Sequence, residues 1–454
     1  MIKTEPTNAV STLGALEGLR LFLAVRKDPL RGFSNLQQRY GDFIRWKGPY
    51  TTYQLTDPAD VQHVLQTNPG NYHKGRSYRI SRSFIGEGLR TSEGAFWRRQ
   101  RRIIQPAFSH DRLANFATIM TDATQELMER WCERARRSEQ VDLVSEFRSL
   151  TLTIVGRTLF STDLTGRVRP LSEALDIGRE YSAERSWALM KLPEGFPTPR
   201  NRGYRDAVRR SFGVVSELIE EHRREPGEYE DLIAMLLAAR DAETGEAMSN
   251  QQLLDETSTL LLAGHETTSV ALAWAFYLLA LHPDAEHQLR DELKTVLDNR
   301  IPTVADLSNL KFTRMVLEES MRLYPPAWTI SRTAIGDDEI RQQRIRAGDE
   351  ILLLQYVTHR HPDFWDEPDQ FRPERFSAEN SATRPRYAYF PFGGGPRQCV
   401  GIHFAMMEAQ LVLATITSRF SWNLVPGHPV VPEPSVTLRP RDGIPIMLER
   451  IPFG

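Results

Sequence analysis

The chain has 454 residues, 40% of them hydrophobic and 26% charged, with 57 basic against 59 acidic side chains. This composition excludes a disordered, collagen-like or coiled-coil protein, and a net charge of −2 offers neither a basic excess for nucleic acid nor an acidic tail. Two cysteines, Cys132 and Cys399, exclude a disulfide framework and fit a reducing compartment, so a cytoplasmic location is expected.

Taken in order, the N-terminal apolar stretch is interrupted by Glu17 and Arg20. It predicts an amphipathic helix ending near Pro29, with neither a signal peptide nor a membrane anchor. Strand-like runs follow at Asp42–Trp46 and Thr52–Leu55. Helical patterns then dominate, at Arg112–Arg136, Gly203–Arg224, Asp231–Arg240, Asn250–Leu281, Pro283–Asp298 and Leu307–Leu323. The last stops at Tyr324-Pro325-Pro326, because proline lacks a donor and constrains its predecessor. Short β-rich pieces occupy Trp328–Ala334, Glu339–Ile345 and Glu350–Tyr356. An irregular stretch, His361–Phe392, leads into a helix over roughly Gly401–Phe420, and Val436–Arg450 predicts a final hairpin. No repeat or shift in composition divides the chain. The expectation is one mainly α unit, residues 1–454, with small β-sheets.

Two segments carry chemistry. The run Leu260–Leu281 is apolar enough to mimic a membrane span, but Gly264-His265-Glu266-Thr267-Thr268-Ser269 interrupts it. Polar groups at bilayer depth are costly, so a buried helix explains the run better. His265-Glu266 begins a zinc-protease-like pattern, yet Ser269 stands where the second histidine would fall, and that reading fails. The second segment is Phe392-Gly393-Gly394-Gly395-Pro396-Arg397-Gln398-Cys399-Val400-Gly401. Its glycines permit tight turns and close approach. The following helix start and Arg397 stabilise a thiolate at Cys399. No Gly-Lys-Ser/Thr follows to make a phosphate loop, and Cys132 is too distant for a zinc pair. A catalytic cysteine–histidine pair fits the composition, but one axial thiolate to a haem iron suits the loop better.

The pattern Phe392-x-x-Gly395-x-Arg397-x-Cys399-x-Gly401 resembles the haem-binding loop of the cytochrome P450 family, and the resemblance extends from about Leu30 to about Glu449. It implies a single large helix-rich fold enclosing a buried haem b, with Cys399 as the iron ligand and Phe392, Gly393 and Gly401 shaping the loop. Ala263-Gly264-His265-Glu266-Thr267 matches the family's oxygen-binding helix. By resemblance Thr267 is the hydroxyl beside oxygen, Glu266 the neighbouring acid, and Gly264 a place where the helix opens. Trp97 and Arg101, with Arg332 and Arg397, match the contacts to the haem propionates. Glu319 and Arg322 match a buried network completed by Arg375, a structural role.

On the substrate side, the resemblance places Leu89, Arg90, Ala263, Thr267, Ala327, Trp328 and Thr329 around the pocket. Arg90 either meets a polar group of the substrate or turns to solvent or a propionate. Trp187–Gly203 is expected to form a mobile lid. The lining is largely apolar, so a fatty acid, terpenoid or polyketide-like substrate is expected.

The resemblance thus implies a monooxygenase that inserts one atom of dioxygen. No flavin or iron–sulfur domain fits after Cys399, so electrons are expected from NAD(P)H indirectly, through a reductase and a ferredoxin- or flavodoxin-type donor. Arg98 and Arg102 share a helix face that could dock such a partner. A peroxide-driven haem-thiolate enzyme and a non-catalytic haem sensor are the alternatives. Neither nucleic acid nor a membrane anchor is expected.

Overall fold

The structure is a computed structural model that describes residues 11–47, 50–162, 168–187, 192–225, 227, 229, 231–241 and 243–451. Chain contacts divide it into two compact units. The first comprises Met1–Ile80, Arg322–Gln370 and Glu379–Cys399; the second comprises Ser81–Met321, Phe371–Ala378 and Val400–Gly454.

The first unit is built on a six-stranded sheet in the order Ser11–Leu13, Phe43–Lys47, Thr51–Leu55, Glu350–Leu353, Ile330–Ala334, Tyr72–Lys74. Thr52 to Leu55 run parallel to Glu350 to Leu353, which brings residues from distant parts of the chain into one sheet. Phe43, Tyr53, Leu55, Ile351 and Leu353 bury into a core with Val61, Tyr72 and Phe390. The expected first helix runs over Ala15–Lys27. Asp28 then caps the next helix, Pro29–Tyr40, accepting from the Arg31 amide with Pro29 in the first turn. Glu339–Ile345 resolves into a small hairpin, Asp338–Ile340 against Gln343–Ile345.

The second unit is helical around Asn250–Leu281, whose N-terminus is fixed by a capping box between Ser249 and Gln252. Against it pack Leu143–Leu159, Pro199–Arg224 and Ile402–Thr417. Trp131, Phe147, Phe276 and Trp422 form a chain of aromatic contacts, with Phe147 and Phe276 centroids 4.9 Å apart. Two helix boundaries moved for local reasons. Pro199–Arg224 starts before Gly203 because Thr198 caps it and Pro199 fits its first turn. Lys311–Leu323 starts after Leu307 because Thr303 and Asp306 cap a separate short turn.

The expected final hairpin is not formed. Pro445–Arg450 lies between Phe420–Leu424 and Val141–Asp142, so both of its edges are occupied, and Leu438–Pro440 pairs instead with Pro432–Pro434. No helix among the described residues is long and apolar enough to cross a membrane.

Candidate functional site

In the first unit the cysteine loop is held at several points. The Cys399 amide donates to the Phe392 carbonyl at 3.0 Å and the Gln398 amide to that of Gly395 at 3.1 Å, folding the loop on itself. Gly395 has φ +63°, and a Cβ there would lie 1.8 Å from the Leu65 carbonyl oxygen. Only glycine fits that position. That carbonyl belongs to a π-helical turn, His63–Thr67, a rare geometry that recurs at functional sites. The same turn supplies Gln66, whose Oε1 accepts from the Tyr387 hydroxyl at 2.9 Å. Upstream, His359 accepts the Phe390 amide at 2.9 Å and Gln355 donates to the Phe390 carbonyl at 2.9 Å. These supports end in a thiol that is exposed, whereas free cysteines are usually among the most buried side chains.

In the second unit, every residue of the long helix from Asp255 to Phe276 is buried except Ala263, Gly264 and Thr267. Ala263 and Thr267, a turn apart, make one small uncovered strip, whereas Gly264 faces a neighbouring helix. The Thr267 hydroxyl donates to the Ala263 carbonyl at 2.8 Å, which leaves its oxygen free to accept. The helix continues unbroken through Gly264. A Cβ there would approach Val155 at 3.1 Å, so this glycine lets Leu143–Leu159 pack closely.

Glu266 points away from that strip into protein. It accepts from the Thr437 hydroxyl at 2.7 Å and pairs with Arg179 at 3.4 Å. Arg179, nearly fully buried, also pairs with Asp176 and Glu180 and donates to the Ser435 hydroxyl. His265 is fully enclosed, and burial pushes its pKa down to about 3, with Arg148 adding to the effect; it is a neutral packing residue. Glu408 on Ile402–Thr417 is likewise pushed well above the carboxylate range by burial, although the Thr268 hydroxyl beside it acts in the other direction.

The expected propionate contacts occupy both units. Arg332 lies directly across from Lys74 in antiparallel strands, and both are buried. Arg397 donates to the Pro69 carbonyl at 2.9 Å. In the second unit Trp97 is buried on Gly94–Ile104, and Arg101, a turn on and half-buried, donates to Gln105. An exposed thiol on a glycine-shaped loop is the iron donor a haem requires, and Arg332 and Arg397 in the same unit carry the charge its carboxylates need, so these residues fit that group.

Of the remaining expected pocket residues, Leu89, Arg90, Ala327 and Thr329 are half-buried, and the Thr329 hydroxyl is buried without a hydrogen-bond partner among the described residues. Trp328 is more enclosed and packs on Phe33, with ring centroids 6.3 Å apart. Residues 188–191 of the expected lid lie outside the described residues. The described part of that segment is a tied turn, in which Asn201 donates to the Pro193 and Phe196 carbonyls.

Glu319, fully buried, pairs with Arg375 at 3.4 Å and accepts the Arg372 amide at 2.9 Å, both within the second unit. Arg322, in the first unit, donates to the carbonyls of His359, Pro368 and Gln370. One expectation needs correction. Arg102 is not available for docking, because it pairs with Asp241 at 2.9 Å and Glu243 at 2.7 Å. Arg98 is exposed. The supports Gln66, Arg179, Gln355, His359, Tyr387 and Thr437 escape sequence reasoning, because each reaches a partner across a long separation and belongs to no local motif.

The sequence profile described as Cytochrome P450 matches residues 12–446. The chain is 36% identical over 420 residues to cyclooctatin synthase of Streptomyces melanosporofaciens, covering 92% of this chain and 90% of that protein. It is 34% identical over 407 residues to cyclooctat-9-en-7-ol 5-monooxygenase of the same organism, covering 89% and 87%. Pentalenene oxygenase of Streptomyces avermitilis is 33% identical over 409 residues, covering 89% of each chain. Among solved structures, the cytochrome P450DA heme domain matches with a TM-score of 0.87 at 28% identity, over 97% of both chains.

Proposed function

Given that the chain belongs to the cytochrome P450 family, we propose that it hydroxylates a terpenoid. As a family member it is a haem- and dioxygen-dependent monooxygenase that takes a small-molecule substrate and a redox partner. The terpenoid assignment draws on the relatives that oxidise cyclooctat-9-en-7-ol and pentalenene. The expected apolar pocket agrees with it. Electrons come from a ferredoxin- or flavodoxin-type protein and its reductase, with NAD(P)H as the distant source.

The observation that carries the reading is the uncovered strip of Ala263 and Thr267 on an otherwise buried helix. Bound haem b supplies the oxidising chemistry, by which dioxygen, two electrons and two protons convert R–H to R–OH and water. Cys399 holds the iron as a thiolate. By the family resemblance, Arg332 and Arg397 of the first unit and Trp97 and Arg101 of the second would hold the propionates. Thr267, already donating to Ala263, is set to accept a hydrogen bond from water and to keep a proton source at its hydroxyl oxygen. Glu266 is held away from that strip by Arg179 and Thr437, so it would replenish that water only by leaving the Arg179 pair and turning toward Thr267.

The test is an absorption spectrum of the reduced protein under carbon monoxide, for wild type and Cys399→Ser. A strongly red-shifted Soret band that Cys399→Ser loses supports the reading. Terpene alcohols and hydrocarbons that then shift the spin state would identify the substrate class. A wild-type protein that takes up no haem when haem is supplied overturns it.

A further inference from the structure

We propose that Asp255 and Glu256 are positioning residues that set substrate specificity by pinning the loop Phe84–Thr91 to the long helix. This rests on the reading above, in which Leu89 and Arg90 border the substrate.

Both carboxylates are buried on the first half of Asn250–Leu281. Asp255 Oδ2 accepts the Glu87 amide at 2.8 Å, and Glu256 Oε2 accepts the Leu89 amide at 2.8 Å. Hydrogen bonds from N–H to a carboxylate are charge-assisted and stronger than neutral ones. Gln251 takes the other Asp255 oxygen at 2.7 Å and fixes that side chain. Between the two pinned amides lies Gly88, where a Cβ would come within 2.3 Å of the Thr259 hydroxyl and 2.8 Å of the Asp255 carbonyl. The loop backbone therefore lies against the helix. It is also closed on itself, since the Thr91 hydroxyl donates to the Gly86 carbonyl at 2.7 Å and the Thr91 and Ser92 amides to that of Gly88, both at 2.9 Å.

The position along the helix gives these pins a function. Glu256 stands on the same helical face as Ala263, two turns earlier and about 10 Å along the axis. The loop covers the helix around Asp255 to Thr259, and the uncovered strip begins at Ala263. Leu89, next to the Gly88 contact and held by Glu256, stands at the edge of the covered stretch. A ligand above Ala263 and Thr267 meets that edge as a wall, and the wall is as firm as the two carboxylate pins.

The test compares imidazole, too small to reach the wall, with 4-phenylimidazole, which extends along the strip. Both are titrated optically against wild type, Glu256→Ala, Glu256→Gln and Gly88→Ala. Glu256→Ala is expected to weaken 4-phenylimidazole roughly ten-fold or more, the loss of one charged hydrogen bond, while imidazole is unchanged. Glu256→Gln keeps an oxygen acceptor and recovers most of the affinity. Gly88→Ala, whose Cβ would crowd the Thr259 hydroxyl, the Asp255 carbonyl and Glu256 Oε2, pushes the loop off the helix with both acidic side chains still present and gives the same selective loss. Amide hydrogen exchange at Glu87 and Leu89 accelerates in Glu256→Ala, a readout independent of haem. If Glu256→Ala and Gly88→Ala leave both azoles unaffected, or weaken both equally, the proposal is overturned. A wild-type protein without a Soret band refutes the functional reading itself, and this proposal with it.

Discussion

Replacing Glu319 tests the energetics of the second unit directly. Its carboxylate is fully buried, pairs with Arg375 and accepts the Arg372 amide. Glu319→Ala removes one partner of a buried ion pair, a loss of about 3–5 kcal/mol because the other charge stays behind. The orphaned Arg372 amide adds about 1–3 kcal/mol. Even the lower sum is a large part of the roughly 5–15 kcal/mol that keeps a domain folded. Glu319→Gln separates the two effects, since its amide oxygen still accepts from Arg372 while the charge opposite Arg375 is gone. The expected order of stability is wild type, then Gln, then Ala. Urea denaturation followed by far-UV circular dichroism, on preparations matched for haem content, measures it. If Glu319→Ala unfolds at the wild-type urea concentration, the pair is not the structural anchor argued here.

Thr267→Ala should retain haem and bind ligands, yet divert reducing equivalents to peroxide; unchanged product formed per electron consumed would remove Thr267 from proton handling. Gly395→Ala forces a Cβ onto the Leu65 carbonyl at positive φ and should convert much of the carbon monoxide spectrum to a blue-shifted form. A wild-type spectrum in that variant would contradict the packing described for the loop. His222 is buried, and burial disfavours its charged form, but the Asp231 carboxylate at 2.7 Å and the Leu218 carbonyl at 2.8 Å outweigh this and raise its pKa above 6.5. A raised histidine pKa contributes stability that is complete below pH 6.5 and fades as pH rises through the folded value. The stability gap between wild type and His222→Gln should therefore narrow from mildly acid to alkaline pH, and a gap that widened would reverse the assignment.

The cysteine loop was legible because its chemistry is local. Three glycines, an arginine and a cysteine lie within ten residues, and the structure uses them as a turn supported on a neighbouring carbonyl. The polar middle of the long helix was legible for the same reason, since a period of 3.6 residues puts Ala263 and Thr267 on one face. What Gly264 does was not legible. Local reasoning suggested an opened helix, whereas the approach of Val155 from another helix accounts for the missing Cβ. Arg102 was misjudged likewise, because Asp241 and Glu243 lie far along the chain and cancel a charge that looked available.

The sequence by itself determined the helical class and the tight glycine loop ahead of Cys399, because periodicity and short-range spacing are properties of neighbouring residues; the expected haem-thiolate and acid–alcohol roles rest on the family resemblance. Only the tertiary structure decided that Pro445–Arg450 is a central strand, that Arg179 and Thr437 anchor Glu266, and that Asp255 and Glu256 hold the Phe84–Thr91 loop. Those are pairings between distant residues, chosen by which buried donors and acceptors the folded chain brings within hydrogen-bonding reach. A buried polar group must find a partner somewhere, but nothing in its immediate sequence says where.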